Sequence, residues 1–438
     1  MKKNTSLLER RTKVLGPAYR LFYDRPLHLV RGLGAHVWDV DGSEYLDAYN
    51  NVPSVGHCHP KVLAALSAQA TLINTHTRYL HETIVDYAEK LVATFPQELS
   101  QVIFTCTGSE ANDLALRVAR AVTGARGIIV TENAYHGVTS VLAEMSPSLG
   151  ASNAIGAHVR MVPAPDTYRL GIEGAAQAFL SGVQKAVASL EAGGFGVAGL
   201  ICDTVFASDG LYFDPPGLLA PAIDVVRAAR GLFIADEVQS GLARPGDHMW
   251  AFQRHGILPD LVTLGKPLGA GHPLAALVAR PEHLDAFGKE TRYFNTFGGN
   301  PVSAAVGRAV LEVIGEERLM DNARDVGGFL LTELQKMAPR HAHVGDVRGG
   351  GLYATLELVE DRATKAPSAV LNTSLINALR ENGVLAGSCG KGANCLKIRP
   401  PLCFTMADAT RLVETLDLCL SHMTPGHRRH REWKNDVS

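Results

Sequence analysis

The stretch Gly231-Leu232-Phe233-Ile234-Ala235-Asp236-Glu237-Val238-Gln239 decides the fold, together with Leu261-Val262-Thr263-Leu264-Gly265-Lys266-Pro267-Leu268-Gly269-Ala270-Gly271 beyond a turn holding Gly241 and Arg244. Leu232 to Ala235 is a short apolar run that ends at an acid. Leu261 to Leu264 is a second run, and it ends at Gly265-Lys266. Short β-favouring runs closed by glycine or polar residues read as buried parallel strands. Ligands of open α/β sheets bind beyond the carboxyl ends of the strands, so Asp236 and Lys266 are expected to project into one cleft.

A carboxylate and a lysine in that arrangement suit pyridoxal phosphate, which forms a Schiff base with a lysine and has a pyridinium nitrogen in need of an anionic partner. The alternative for these two residues alone is an ion pair closing two strands. The surrounding motifs discriminate. Asp236-Glu237-Val238-Gln239 and Lys266, Gly108-Ser109-Glu110-Ala111-Asn112, Ala134-Tyr135-His136-Gly137, and Phe294-Asn295-Thr296-Phe297-Gly298-Gly299-Asn300-Pro301 resemble class III pyridoxal-phosphate aminotransferases in residues and order. The resemblance runs from about Tyr19 to about Cys419.

Length and composition are compatible with this. The 438 residues suffice for a large core and two or three domains. A net charge of −2 offers no overall field for nucleic acid or an anionic membrane. No uninterrupted apolar run reaches spanning length. The basic stretch Met1 to Gly16 lacks the apolar centre of a signal peptide and reads as a surface arm or short helix. Seven cysteines without a Cys-x-x-Cys fit reduced thiols in a cytoplasmic protein. His57-Cys58-His59 has no second ligand pair at zinc spacing, so it reads as structural and no metal is expected.

Along the chain, Leu27 to Ala48 alternates around Asp41-Gly42 and reads as a hairpin. Lys61 to Ile73 and His81 to Phe95 have helical periodicity. Gln101 to Thr105 reads as a strand, Thr107-Gly108-Ser109 as a turn, and Glu110 to Val122 as a helix. A strand, a small-residue turn and a helix start together form an anion site. Gly127 to Thr131 and Gly199 to Cys202 are further strands. Pro163 to Arg169 reads as a loop, and Ala175 to Leu190 as a helix. The alternation from about Gly56 to about Arg280 indicates a doubly wound, mainly parallel α/β sheet. After Asn300 come the long helices Pro301 to Ile314 and Glu317 to Met337, strands within Val344 to Leu358, a helix over Thr373 to Asn382, a strand at Leu396 to Ile398 and a basic tail, His427 to Ser438.

The resemblance implies a fold type I transferase. Residues 1–55 would be an N-terminal segment packing with the small domain, 56–300 the large cofactor domain, and 301–438 the small α+β domain. It implies Lys266 as Schiff-base lysine and general base, and Asp236 as partner of the pyridinium. Val238 and Tyr135 would lie on the two ring faces, with His136 beside them, and Gln239 on the ring hydroxyl. Gly108, Ser109 and, across a homodimer interface, Thr296 would hold the cofactor phosphate.

A narrower resemblance is to the ethanolamine-phosphate phospho-lyase branch. It rests on Leu21-Phe22-Tyr23-Asp24, Asn50-Asn51-Val52, Gly56-His57-Cys58-His59-Pro60 and Asn74-Thr75-His76-Thr77-Arg78. Pro165-Asp166-Thr167-Tyr168-Arg169, His248-Met249-Trp250 and Leu396-Lys397-Ile398-Arg399-Pro400-Pro401-Leu402-Cys403-Phe404 complete it. The implied reaction is β-elimination of phosphate from phosphoethanolamine, giving acetaldehyde, ammonia and phosphate. The alternative is an ω-transaminase acting on amines or amino acids. A phosphate dianion calls for arginine or lysine in a partly dry pocket. Arg78 and Arg399 are the first candidates, with Tyr19, Asn50 and Lys397 second. The sequence departs from the class III pattern at Asp203 and Phe206, where a glutamate and a glutamine are usual, and at Gly241-Leu242-Ala243-Arg244.

Overall fold

The computed structural model describes residues 6–423; the expected basic tail and the first five residues lie outside the described residues. A seven-stranded sheet forms the centre. Its spatial order is Gln101–Thr105, Ala275–Ala279, Leu261–Leu264, Leu232–Asp236, Val197–Cys202, Gly127–Thr131 and Val159–Val162. All neighbouring pairs are parallel except those of Ala275–Ala279, which runs antiparallel to both its neighbours. Every residue of Leu232–Asp236, Leu261–Leu264 and Ala275–Ala279 is buried, which is why these strands read as continuous apolar runs rather than alternating ones. Each fully buried Val, Leu or Ile side chain contributes about 1.5–3 kcal/mol of transfer free energy.

Helices cover both faces, as the sequence pattern predicts. Gly108–Thr123 begins two residues earlier than expected because Thr107 caps it. Thr107 Oγ1 accepts from Glu110 N at 3.1 Å, while Glu110 Oε2 accepts from Thr107 N at 3.1 Å. The expected loop Pro163 to Arg169 is corrected. A helix starts at Thr167, capped by Asp166, whose carboxylate accepts from Arg169 N at 3.0 Å, and it continues to Ala192 through a break at Gly171, φ 70°. The glycine hides the periodicity of the first turn from the second.

The remaining chain builds two four-stranded sheets. One joins Leu29–Leu33, His36–Asp39 and Glu44–Asp47 to Val384–Leu385, so the N-terminal segment is hydrogen-bonded to the C-terminal part of the chain. The other has the order Val344–Gly349, Ala354–Leu358, Cys395–Ile398, Gly387–Cys389. The long helices Pro301–Glu316 and Leu319–Met337 pack on each other, the first also on Pro60–Ala70 and Glu82–Val92 and the second on Met406–Ser421. Gly307 sits against Tyr87, where a Cβ would come within 2.4 Å of the ring. Trp250 is buried, stacks on Phe95 at 4.5 Å between centroids and donates to Thr94 Oγ1 at 3.1 Å. Among the described residues no helix is long and apolar enough to cross a membrane.

Candidate active site

Asp236 closes its strand, and Lys266 follows the neighbouring strand by two residues, with Asp236 in register with Thr263. The two side chains therefore reach the same cavity at the carboxyl edge of the sheet. Gly108, Ser109, Asn112, Tyr135, His136, Gly137, Asp203, Val238 and Gln239 line it with them. Lys266 has a φ of 23°, a left-handed backbone unusual for lysine, directly before Pro267.

Asp236 is held from three sides. Its Oδ2 accepts from His136 Nδ1 at 2.7 Å and from Asn112 Nδ2 at 2.9 Å, and its Oδ1 accepts from Val238 N at 3.1 Å. Burial pushes the carboxyl pKa up, but the His136 bond and charge, the Lys266 charge and the Asn112 bond outweigh it and hold it below the ordinary value. Asn112 is in turn fixed by Thr263 Oγ1, which donates to its Oδ1 at 2.6 Å. His136 Nε2 is buried without a partner.

At the opposite end, the first-turn N–H groups of Gly108 and Ser109 have no acceptor within their helix. Gly108 has no room for a side chain: a Cβ would lie 2.7 Å from Val238 Cγ1. Ser109 Oγ accepts from Val138 N at 3.2 Å. Tyr135 is 39% exposed, and Lys266 Nζ lies 5.9 Å from its ring centroid.

The strand Cys395–Ile398 and the residue after it supply two buried cations, Lys397 and Arg399, beside the half-buried Lys266. Lys397 Nζ donates to Gln239 Oε1 at 3.1 Å, and Arg399 Nε donates to the Tyr49 carbonyl at 3.3 Å. Among the described residues no carboxylate comes within 4.0 Å of Lys266, Lys397 or Arg399. Burial, then the Arg399 charge, lowers the Lys266 pKa against the pull of Asp236 and Asp203. Burial lowers Lys397 to about 8. Burial raises Asp203 to about 6.

The other sequence candidates lie elsewhere in the single chain. Arg78 is exposed, with its guanidinium 3.8 Å over the Phe294 ring. Thr296 is exposed on the same loop as Phe294. Tyr19 is 67% exposed, and its carbonyl accepts from Arg11 Nη2 at 2.9 Å. Asn50 lines a separate apolar cavity with Phe22 and Tyr49. His57 and His59 pair with Asp47 at 2.8 Å and Glu317 at 2.9 Å, in keeping with a structural role. Arg244 is buried and donates to the carbonyls of Leu352 at 2.8 Å and Pro400 at 2.7 Å; burial pushes its pKa down to about 9. Phe206, at the departure from the family pattern, packs edge-on against Phe179, while its neighbour Asp203 faces the cavity. Asn112 has no legible role in the sequence, because its partners Asp236 and Thr263 lie more than a hundred residues away.

This donor set fits pyridoxal phosphate. An ionised Asp236 would meet the pyridinium, the apolar Val238 side chain and Tyr135 the ring faces, and the helix start at Gly108 the phosphate. The comparisons agree. The family model for class III aminotransferases matches residues 22–420. The chain is 38% identical to a Drosophila melanogaster alanine–glyoxylate aminotransferase 2-like protein, over 95% of this chain and 87% of that one. It is 35% identical to ethanolamine-phosphate phospho-lyase homolog 1 of Caenorhabditis elegans, over 97% and 95%. A solved Arthrobacter phospholyase in complex with phosphoethanolamine superposes with a TM-score of 0.93 at 43% identity, covering 96% of this chain and all of that one. The chain belongs to the class III aminotransferase family, with the fold type I architecture and the pyridoxal-phosphate dependence that go with it.

Proposed function

We propose that this enzyme is a phospho-lyase that eliminates phosphate from O-phosphoethanolamine or a close phosphorylated amine, giving acetaldehyde, ammonia and phosphate. The observation that carries the reading is the pair of buried cations Lys397 and Arg399 beside the half-buried Lys266, neither of the pair having a carboxylate within 4.0 Å among the described residues. Unpaired buried charge is costly, so such a group favours an anionic ligand. The cofactor phosphate is assigned to the Gly108 helix start, which leaves Lys397 and Arg399 for a second anion. The likeness to a phospholyase bound to phosphoethanolamine supports the same reading.

The bound cofactor supplies an electron sink for a carbanion. Lys266, lowered in pKa by burial and by Arg399, takes the proton from the carbon next to the substrate nitrogen. Asp236, held ionised by His136 and Asn112, keeps the pyridinium protonated. Arg399 and Lys397 hold the substrate phosphate and stabilise its charge as it leaves. Arg78 and Thr296 share an exposed face through Phe294, and in a homodimer they would serve the partner's site.

The second reading is an ω-transaminase, favoured by the identity to the aminotransferase 2-like protein. The two share proton abstraction and part at the next step, where either phosphate leaves or the amino group is transferred. One experiment separates them: release of phosphate and acetaldehyde from phosphoethanolamine, run beside pyruvate-to-alanine exchange. Exchange without phosphate release overturns the lyase reading.

A further inference from the structure

Outside the cavity, two thiols face each other across the sheet that carries Lys397. Gly387–Cys389 pairs antiparallel with Cys395–Ile398, and the register sets Cys389 directly opposite Cys395 and Gly387 opposite Lys397. Directly opposed residues of an antiparallel pair share a face of the sheet, with Cβ atoms about 4.5–5.5 Å apart. A disulfide needs Cβ atoms about 3.5–4.5 Å apart, so a small closure of the two strands suffices. The pair is unlike the other cysteines, which have no thiol as register partner in any strand pairing.

We propose that Cys389 and Cys395 form a peroxide-responsive dithiol, oxidised to a cross-strand disulfide on the strand that supplies Lys397. Two features of the surroundings favour the reaction. Cys395 Sγ lies 3.6 Å from Arg348 Nη2, and it lines a surface cavity of about 350 Å³ with Tyr212, Glu357 and Gly390. Cys389 is partly exposed, so a small oxidant can approach its sulfur, while Cys395 is buried beside it. The neighbouring Cys395 thiol, with Lys397, Arg348 and Arg399 nearby, sets the Cys389 thiol below its ordinary value against the pull of burial.

The chemistry balances with hydrogen peroxide as the oxidant. The Cys389 thiolate attacks one peroxide oxygen and the O–O bond breaks. The departing hydroxide takes a proton and leaves as water, and Cys389 becomes a sulfenic acid. Cys395 sulfur then attacks the Cys389 sulfur, the S–O bond breaks, and the hydroxide leaves with the Cys395 proton as a second water. Two thiols have lost two electrons, and one peroxide has been reduced to two waters. The product closes the Gly390-Lys391-Gly392-Ala393-Asn394 segment into a ring and links two strands beside Lys397 and Arg399.

The sequence offers a clean assay, because Lys391 is a tryptic site between the two cysteines. The full-length enzyme loaded with pyridoxal phosphate is treated with hydrogen peroxide in limited amount, alkylated under denaturing conditions, digested with trypsin and analysed by mass spectrometry. The expected result is a linked pair, one peptide ending at Lys391 and one spanning Gly392 to Lys397, two hydrogen atoms lighter than their sum. It is lost on reduction with dithiothreitol and forms before the exposed Cys58 is modified. In C395S, Cys389 should be trapped by dimedone as the sulfenic acid; in C389S neither product should form at this pair. Alkylation of both Cys389 and Cys395 in the wild type while Cys58 is oxidised would overturn the proposal, as would a Cys389 bridge to any other cysteine.

Discussion

His136 Nδ1 stands 2.7 Å from Asp236 Oδ2, and this buried bond is the largest of the contacts that offset burial of the carboxylate. Asp236→Asn keeps the shape and removes the charge. Turnover should fall by about 10²–10³-fold or more, the scale of losing a principal electrostatic contact, while the cofactor stays bound through its phosphate. The sign for stability follows from the depressed pKa. The contribution of Asp236 is present above its ordinary value of 3.8 and is lost as pH falls through the lower folded value. Acid unfolding monitored by circular dichroism should show that loss in the wild type and not in D236N. Near-normal turnover in D236N would assign the pyridinium to another group.

Lys266→Ala should abolish turnover and the covalent link to the cofactor. Reduction of the wild type with borohydride followed by mass spectrometry should tag the peptide containing Lys266. A tagged lysine in K266A would refute the assignment.

Arg399→Ala leaves Lys397 and Lys266 without their guanidinium neighbour and removes a phosphate donor. Transition-state binding for phosphoethanolamine should weaken by about 2–5 kcal/mol, as for removal of one member of a buried charge pair. Exchange with an uncharged amine should change much less. Equal losses in kcat/KM for both substrates would make Arg399 structural.

Lys397 gives the pH dependence a direction. Burial lowers it from 10.5 to about 8, against the pull of Cys389 and with Arg399 and Lys266 adding to the shift. Its burial therefore costs stability in full below about 8, and the cost is relieved as pH rises towards 10.5. Binding of the substrate phosphate runs the other way. KM for the phosphorylated amine should rise above pH 8, by up to about tenfold per unit. Lys397→Arg stays charged throughout and should flatten that rise. A wild-type KM that is flat through pH 8 would remove Lys397 from the phosphate site.

Gly108→Ala drives a methyl to within 2.7 Å of Val238 Cγ1. Overpacking of this kind costs about 1–3 kcal/mol, and here it should appear as weaker cofactor binding and a lower Tm. Val238→Ala in the same chain opens the space and should restore part of the affinity. Calorimetric titration of the apoenzyme with pyridoxal phosphate measures both.

The strands Gly127–Thr131 and Leu261–Leu264 were legible to the residue because burial on both faces leaves short apolar runs with clear ends. Asp236 and Lys266 were legible for the same reason: each follows such a run into the cavity. The start of the helix at Gly108 was readable in Thr107-x-x-Glu110, but the small residues between looked like a turn. Ala275–Ala279 had no polar alternation to set it apart, and its antiparallel insertion between distant strands leaves no local mark. The grip on Asp236 was only partly in reach: Val238 follows it by two residues in the same motif, but His136 and Asn112 lie 100 and 124 positions away. The placement of Arg78 outside the cavity was equally hidden, because the Phe294 ring that it covers is contributed by a distant loop.

The seam between the chain's two ends has a temporal consequence. Glu44–Asp47 is completed by Val384–Leu385, and Arg399 Nε reaches the Tyr49 carbonyl 350 positions away. Ribosomes add about 5–20 residues per second, so the N-terminal hairpin emerges roughly 20–70 s before its last strand exists. Contacts of such sequence separation form late and slow folding. During synthesis the apolar side chains Val37, Tyr45 and Leu46, all buried in the finished protein, wait in an unfinished sheet edge. A chain released before Val384 therefore exposes a sticky β-edge to chaperones and to other nascent copies.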